Sequence, residues 1–176
     1  MSIKSEKNDQ SAFKNPVFET GEFEWIEKAA IENLKQRVEC ADVLAKEAGT
    51  TLTILLAGIG GSLVFAVKVL DADYSSSVLA ATAVCGWLTS WATVLVFTCL
   101  KISEIYIVYN EPKNLLKRTE GSCSFTEWRI AELNGMQFRI EKNTQRNDKT
   151  AFFLNLVRGM TAITPLIALL GLLPCW

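Results

Sequence analysis

The sequence predicts an all-α integral membrane protein: a transmembrane helical hairpin, a third C-terminal span, and long cytoplasmic helical extensions. Three observations predict it. Of 176 residues, 49% are hydrophobic and 21% charged, a composition far from that of a disordered chain. The apolar residues are gathered into stretches 48–67, 74–100 and 151–176. Each is long enough to cross about 30 Å of hydrocarbon at about 1.5 Å per residue. Apart from Lys68, which can snorkel outward, lysine and arginine flank these stretches on one side, as the positive-inside rule requires.

Residues 1–22 read as a flexible N-terminal segment with no apolar core, so no cleavable signal peptide is predicted. From residue 23 to 70 one helix is expected, about 70 Å long. Ile26, Ala30, Leu34, Val38, Ala41, Ala45, Ala48 and Leu52 form its apolar seam, in coiled-coil-like steps of three and four. Its Glu/Lys-rich opposite face is a solvated surface. The second span, 74–111, overruns the membrane as a helical cytoplasmic extension until Pro112, and 112–123 form a loop. Ser124 and Glu127 then make a capping box that opens a helix over 124–176, continuing into the third span with Pro165 as a kink. Gly135 reads as a close-packing position in that helix. The two extensions before the first and third spans should lie side by side.

The favoured topology places the N-terminus in the cytoplasm, the acidic 71–77 loop outside, and residues 101–150 inside. The C-terminus lies outside if the third span crosses fully.

Several function classes are excluded. Eighteen Lys+Arg against nineteen Asp+Glu give a net charge of −1, which offers no basic groove for nucleic acid. The absence of histidine removes Ser-His and Cys-His catalysis and imidazole metal sites. Cys40, Cys85, Cys99, Cys123 and Cys175 are scattered without a CxxC pair. No catalytic residue, metal site or cofactor is therefore assigned, and an enzyme is not expected.

Ala57, Gly58, Gly61, Ser62 and Ala66 form small-xxx-small pairs for helix packing, either within one chain or between copies. In the second span Thr82, Gly86, Thr89 and Thr93 make a hydroxyl-rich stripe, a candidate pore lining if several copies form a ring. Trp87 and Trp91 make an aromatic ridge against lipid or a neighbouring helix. Arg158 either sits at the cytoplasmic interface with the span starting at Gly159, or pairs with Glu47 or Glu104 to hold the third span against the first two. Asn155 shares its face. Phe125, Trp128 and Phe138 are candidate cytoplasmic packing residues.

A cytoplasmic helix, a tight hairpin carrying Gly58-Ile-Gly-Gly61, an outer loop with Asp71 and Asp73, and a returning cytoplasmic helix together resemble, in layout over residues 23–140, the two-transmembrane SLATT-type effectors of bacterial anti-phage systems. The segment Asn110-Glu-Pro-Lys-Asn-Leu115 and the run from Arg139 through Thr164-Pro165-Leu166 are similar to small prophage membrane proteins. The resemblance implies a bacterial inner-membrane protein of antiviral defence that permeabilises the membrane as a homo-oligomer. The expected partners are other copies of the chain, the lipid bilayer and, on the alternative reading of a non-conducting anchor, a cytoplasmic protein docked on the helical extensions.

Overall fold

In a computed structural model, residues 20–70, 75–101, 104–111, 113 and 124–172 are described. The expectations for residues 1–19 of the N-terminal segment, the outer-loop acids, most of the 112–123 loop, Cys123 and Cys175 lie outside these residues, while Thr20, Gly21 and Glu22, expected to be flexible, already belong to the first helix. Among the described residues every regular element is helical. Helix α1 (Thr20–Leu70) runs for 51 residues. Helix α2 (Ser75–Leu95) returns alongside it and ends in one π-helical turn, Val96–Leu100. Helix α3 (Phe125–Ala162) lies beside both, and α4 (Thr164–Leu172) carries the chain onward against α2. Three helices are long and apolar enough to cross a membrane: α1, α2 with its π turn, and α3 with α4.

The core follows from spacing on α1. Leu34, Ala41, Ala48 and Leu55 are buried at seven-residue intervals, so one face of an unbroken helix stays turned toward its neighbours. Ala48 and Leu55 meet Leu88, Ala92, Leu95, Cys99, Leu154 and Val157 in a cluster shared by all three spans. Ala45 departs from the predicted seam and is exposed, with Leu44 half-buried in its place.

One tight side-chain contact and one close backbone approach set the helix spacing in the apolar half. A Cβ on Gly58 would lie 2.8 Å from Leu88 Cδ1, and one on Gly171 would lie 2.6 Å from Ala80 Cα. A side chain at Gly171 would have to displace backbone, whereas at Gly58 the tip of Leu88 would have to shift. Gly135 does not mark such an approach, because its nearest neighbour would be Arg139 of its own helix at an ordinary 3.5 Å.

The second span corrects the predicted helical extension. It leaves helical geometry at Lys101 (φ −59, ψ 127), and residues 104–111 are irregular. The run Ile105-Tyr-Ile-Val-Tyr109 is β-branched and aromatic, with weak helix propensity. Its backbone finds partners on α3 instead. Tyr106 N–H donates to Asn143 Oδ1 at 3.2 Å, Asn143 Nδ2 donates to Tyr106 O at 2.9 Å, and Arg139 Nη1 donates to Val108 O at 3.0 Å.

At its start α3 carries the capping box: Glu127 N–H donates to Ser124 Oγ at 3.3 Å, and Ser124 N–H donates to Glu127 Oε2 at 2.9 Å. The helix breaks at Ile163, two residues before Pro165. Proline supplies no N–H to the carbonyl four residues back. That carbonyl, on Thr161, accepts from the Thr164 hydroxyl at 2.6 Å. The carbonyl of Met160 accepts from Ile163 N–H and from the Trp87 indole, both at 3.2 Å. The kink is thus satisfied from within its own turn and from α2.

Candidate functional site

The exposed face of α2 is made of small and hydroxyl side chains. Thr82, Gly86, Thr89 and Thr93 are all exposed, and Ala83 and Ser90 lie among them on the same uncovered surface. Between Leu79 and Val96 this helix exposes no large hydrophobic residue. Each hydroxyl donates to a carbonyl of its own helix: Thr82 to Val78 O, Thr89 to Cys85 O, Ser90 to Gly86 O and Thr93 to Thr89 O, all at 2.8 Å. Those bonds occupy the hydrogens and leave oxygen lone pairs facing outward. The other spans differ. Exposed residues on α1 include Ile54, Leu56, Leu63, Val64, Phe65 and Val67, and α4 exposes Leu166, Leu169, Leu170 and Leu172.

The small residues of α1 divide between two faces. Gly58 contacts α2 through Leu88, and Ser62 and Ala66 are half-buried. Ala57 and Gly61 are exposed, and a Cβ on Gly61 would meet nothing within 4 Å. Trp87 and Trp91 lie edge to face at 5.6 Å and pack on the core cluster, with the Trp87 indole turned to Met160 rather than to lipid.

Arg158 reaches α1. Its Nη2 forms an ion pair with Glu47 and its Nε donates to Thr51 Oγ1 at 3.2 Å, while the Thr51 hydroxyl donates to Glu47 O at 2.8 Å. Glu104 is not a partner of Arg158, and both Glu104 and Asn155 are exposed. Glu47 is the last charge before the uncharged 48–67 stretch. The pair is about half exposed, at 43% and 51%, and the position of Glu47 next to the uncharged stretch puts it at the edge of the apolar belt on α1.

Beyond that boundary α1 and α3 form a two-helix stalk joined by polar clamps. Glu27 receives both Arg129 Nε (2.8 Å) and Nη2 (2.7 Å), and the Arg129 guanidinium lies 4.7 Å from the centre of the Phe23 ring. Its hydrogen bonds to Glu27 push the Arg129 pKa further up, against a smaller lowering by desolvation, so the guanidinium stays charged at any ordinary pH. Asn147, buried, donates to Arg37 O at 2.8 Å. Arg139 pairs with Glu132, which also accepts from Asn110 Nδ2 at 3.4 Å.

Phe125 and Trp128 stack at 5.8 Å, Phe125 exposed and Trp128 half-buried. Phe138 stands apart from them, edge to face with Tyr106 at 6.0 Å. A cleft of about 380 Å³ opens among Glu27, Tyr109, Asn110, Phe125, Trp128 and Glu132. Sequence reasoning missed Arg129, Asn143, Asn147 and Gly171. The asparagines did leave a signal: Asn143 follows Met136 by seven residues and Asn147 precedes Leu154 by seven, placing amides on the buried face of α3. No cluster of His, Cys, Asp or Glu able to hold a metal occurs among the described residues. Cys40 is exposed, Cys85 half-buried and Cys99 buried. No family model, curated protein or solved structure matches the chain.

Proposed function

We propose that this chain is a homo-oligomeric, multi-pass protein of the bacterial inner membrane, N-terminus in the cytoplasm, in which copies of α2 line a narrow water-filled path. On the resemblance to anti-phage effectors, the path serves to permeabilise the membrane during phage infection. The observation that carries this reading is the uncovered α2 face, six small or hydroxyl residues with no bulky side chain between Leu79 and Val96. A lipid-facing helix gains by presenting large apolar groups, as α4 does. A face of threonine, serine and glycine suits close helix contact or water. No charged residue interrupts it, so conduction would be weakly selective and would close by apolar dewetting.

Dye and ion leakage from liposomes containing the purified protein, with oligomer mass measured on the same sample, tests the proposal. Gly86→Leu fills a position where a Cβ meets nothing within 4 Å of its own chain. It should abolish leakage while leaving the oligomer intact. A silent, tight oligomer of the unaltered chain would overturn conduction and select the non-conducting anchor, which the stalk cleft favours.

A further inference from the structure

Charge is segregated along the stalk. At its tip, residues 20–32, 108–111 with Lys113, and 124–132 carry seven glutamates against Lys28, Lys113 and Arg129. Nearer the apolar belt, residues 33–50 and 133–158 carry eight lysines and arginines against five acids. Among the described residues the tip is therefore acidic, and the one cation that lines the cleft there, Arg129, is already held by both oxygens of Glu27.

The same tip exposes large aromatic side chains. Trp25 is 72% exposed, Phe125 70% and Tyr109 62%, and the last two wall the cleft. From residue 48 back to residue 23 the helix rises about 37 Å, so hydrocarbon cannot cover these rings. Exposed aromatics rimmed by charge are the composition of a protein-binding surface, not of a solvated one. The Trp128 indole N–H in the cleft wall is buried and has no acceptor.

We propose that the tip cleft docks a lysine- or arginine-rich segment of a cytosolic protein, one bulky apolar side chain entering between Tyr109 and Phe125 while the flanking cations meet the surrounding glutamates. Nucleic acid and anionic lipid are the wrong sign for this surface. The inference rests on membrane insertion of the spans but not on conduction, so a non-conducting chain would leave it standing.

The test uses the full chain in zwitterionic nanodiscs and two fluorescent hexapeptides, Leu-Phe between paired lysines and Leu-Phe between paired glutamates, with empty nanodiscs as reference. The lysine peptide should raise anisotropy above the empty-disc signal, and its affinity should fall severalfold between 50 and 200 mM salt. Binding should weaken at least tenfold in Phe125→Ala and in Tyr109→Ala. Both rings are largely exposed, so neither change should lower the melting temperature by more than the small loss expected of the Phe125–Trp128 stack. Equal binding of the two peptides, no binding above empty discs, or binding that both alanine variants leave unchanged would overturn the proposal.

Discussion

The apolar half and the stalk of this molecule hold the same helices together by opposite means. Between the spans, contact depends on what is missing: Gly58 admits Leu88, and Gly171 admits the backbone of Ala80. In the stalk it depends on what is present: Glu27–Arg129 and Asn147 on Arg37 tie α1 to α3, while Glu132–Arg139 braces α3 itself and Asn143 holds Tyr106 of the 104–111 segment. Solvent explains the contrast. Lipid tails are as apolar as leucine, so helices in hydrocarbon gain from close van der Waals approach. In water the buried apolar seam supplies the drive, and polar clamps fix the register of helices that would otherwise slide.

If that contrast is right, the largest loss should follow from Gly171→Leu, which drives a side chain into the Ala80 backbone. Overpacking of this kind costs about 1–3 kcal/mol, read as a lower melting temperature in detergent. Gly86→Leu should leave the melt nearly unchanged, and equal losses in the two variants would erase the distinction between a packed and an uncovered glycine. Next in size, Asn143→Leu strands the N–H and C=O of Tyr106, at about 1–3 kcal/mol. Limited proteolysis should then cut within 104–111 well before the spans are touched; protection equal to the unaltered chain would show that Asn143 does not hold the segment.

Ser124→Ala removes the cap of α3 and should cost about 1 kcal/mol. Hydrogen exchange accelerated in the first turn of α3 and nowhere else would place the loss there. The smallest effect is expected at the boundary of the two regimes. A half-exposed ion pair contributes about 0.2–1 kcal/mol, so Arg158→Glu should weaken the assembly modestly and Glu47→Arg should restore it. Failure of that reversal would remove the pair as a tie between the first and third spans.

Much of this architecture was legible because its signals are periodic or local. The heptad placement of Leu34, Ala41 and Ala48 could be read from spacing, and Ser124 with Glu127 from a four-residue motif. Ala45 was assigned to the seam because alanine suits either face, and only packing against real neighbours favours Leu44. The helix end at Leu100 was hidden for a different reason. Nothing in 101–111 forbids a helix, and the segment leaves it because Asn143 and Arg139, more than thirty positions away, satisfy its backbone. Gly171 escaped notice because close approach is a property of two helices, and Ala80 is unremarkable until α4 lies on it. For the candidate site, the α2 stripe was visible as composition, but its exposure depended on which face the neighbouring spans covered.

The charge gradient along the stalk also governs posture. A long, partly apolar helix leaving a bilayer would ordinarily tend to lie flat in the headgroup layer, held by cations and by its buried stripe. Here the base carries the excess of cations, while the far end, with seven glutamates against Lys28, Lys113 and Arg129, is net acidic among the described residues. A negatively charged cytoplasmic leaflet attracts the first and repels the second. In the proposed orientation the stalk would thereby be propped upright, its aromatic end lifted clear of the lipid and into the volume that diffusing proteins sweep.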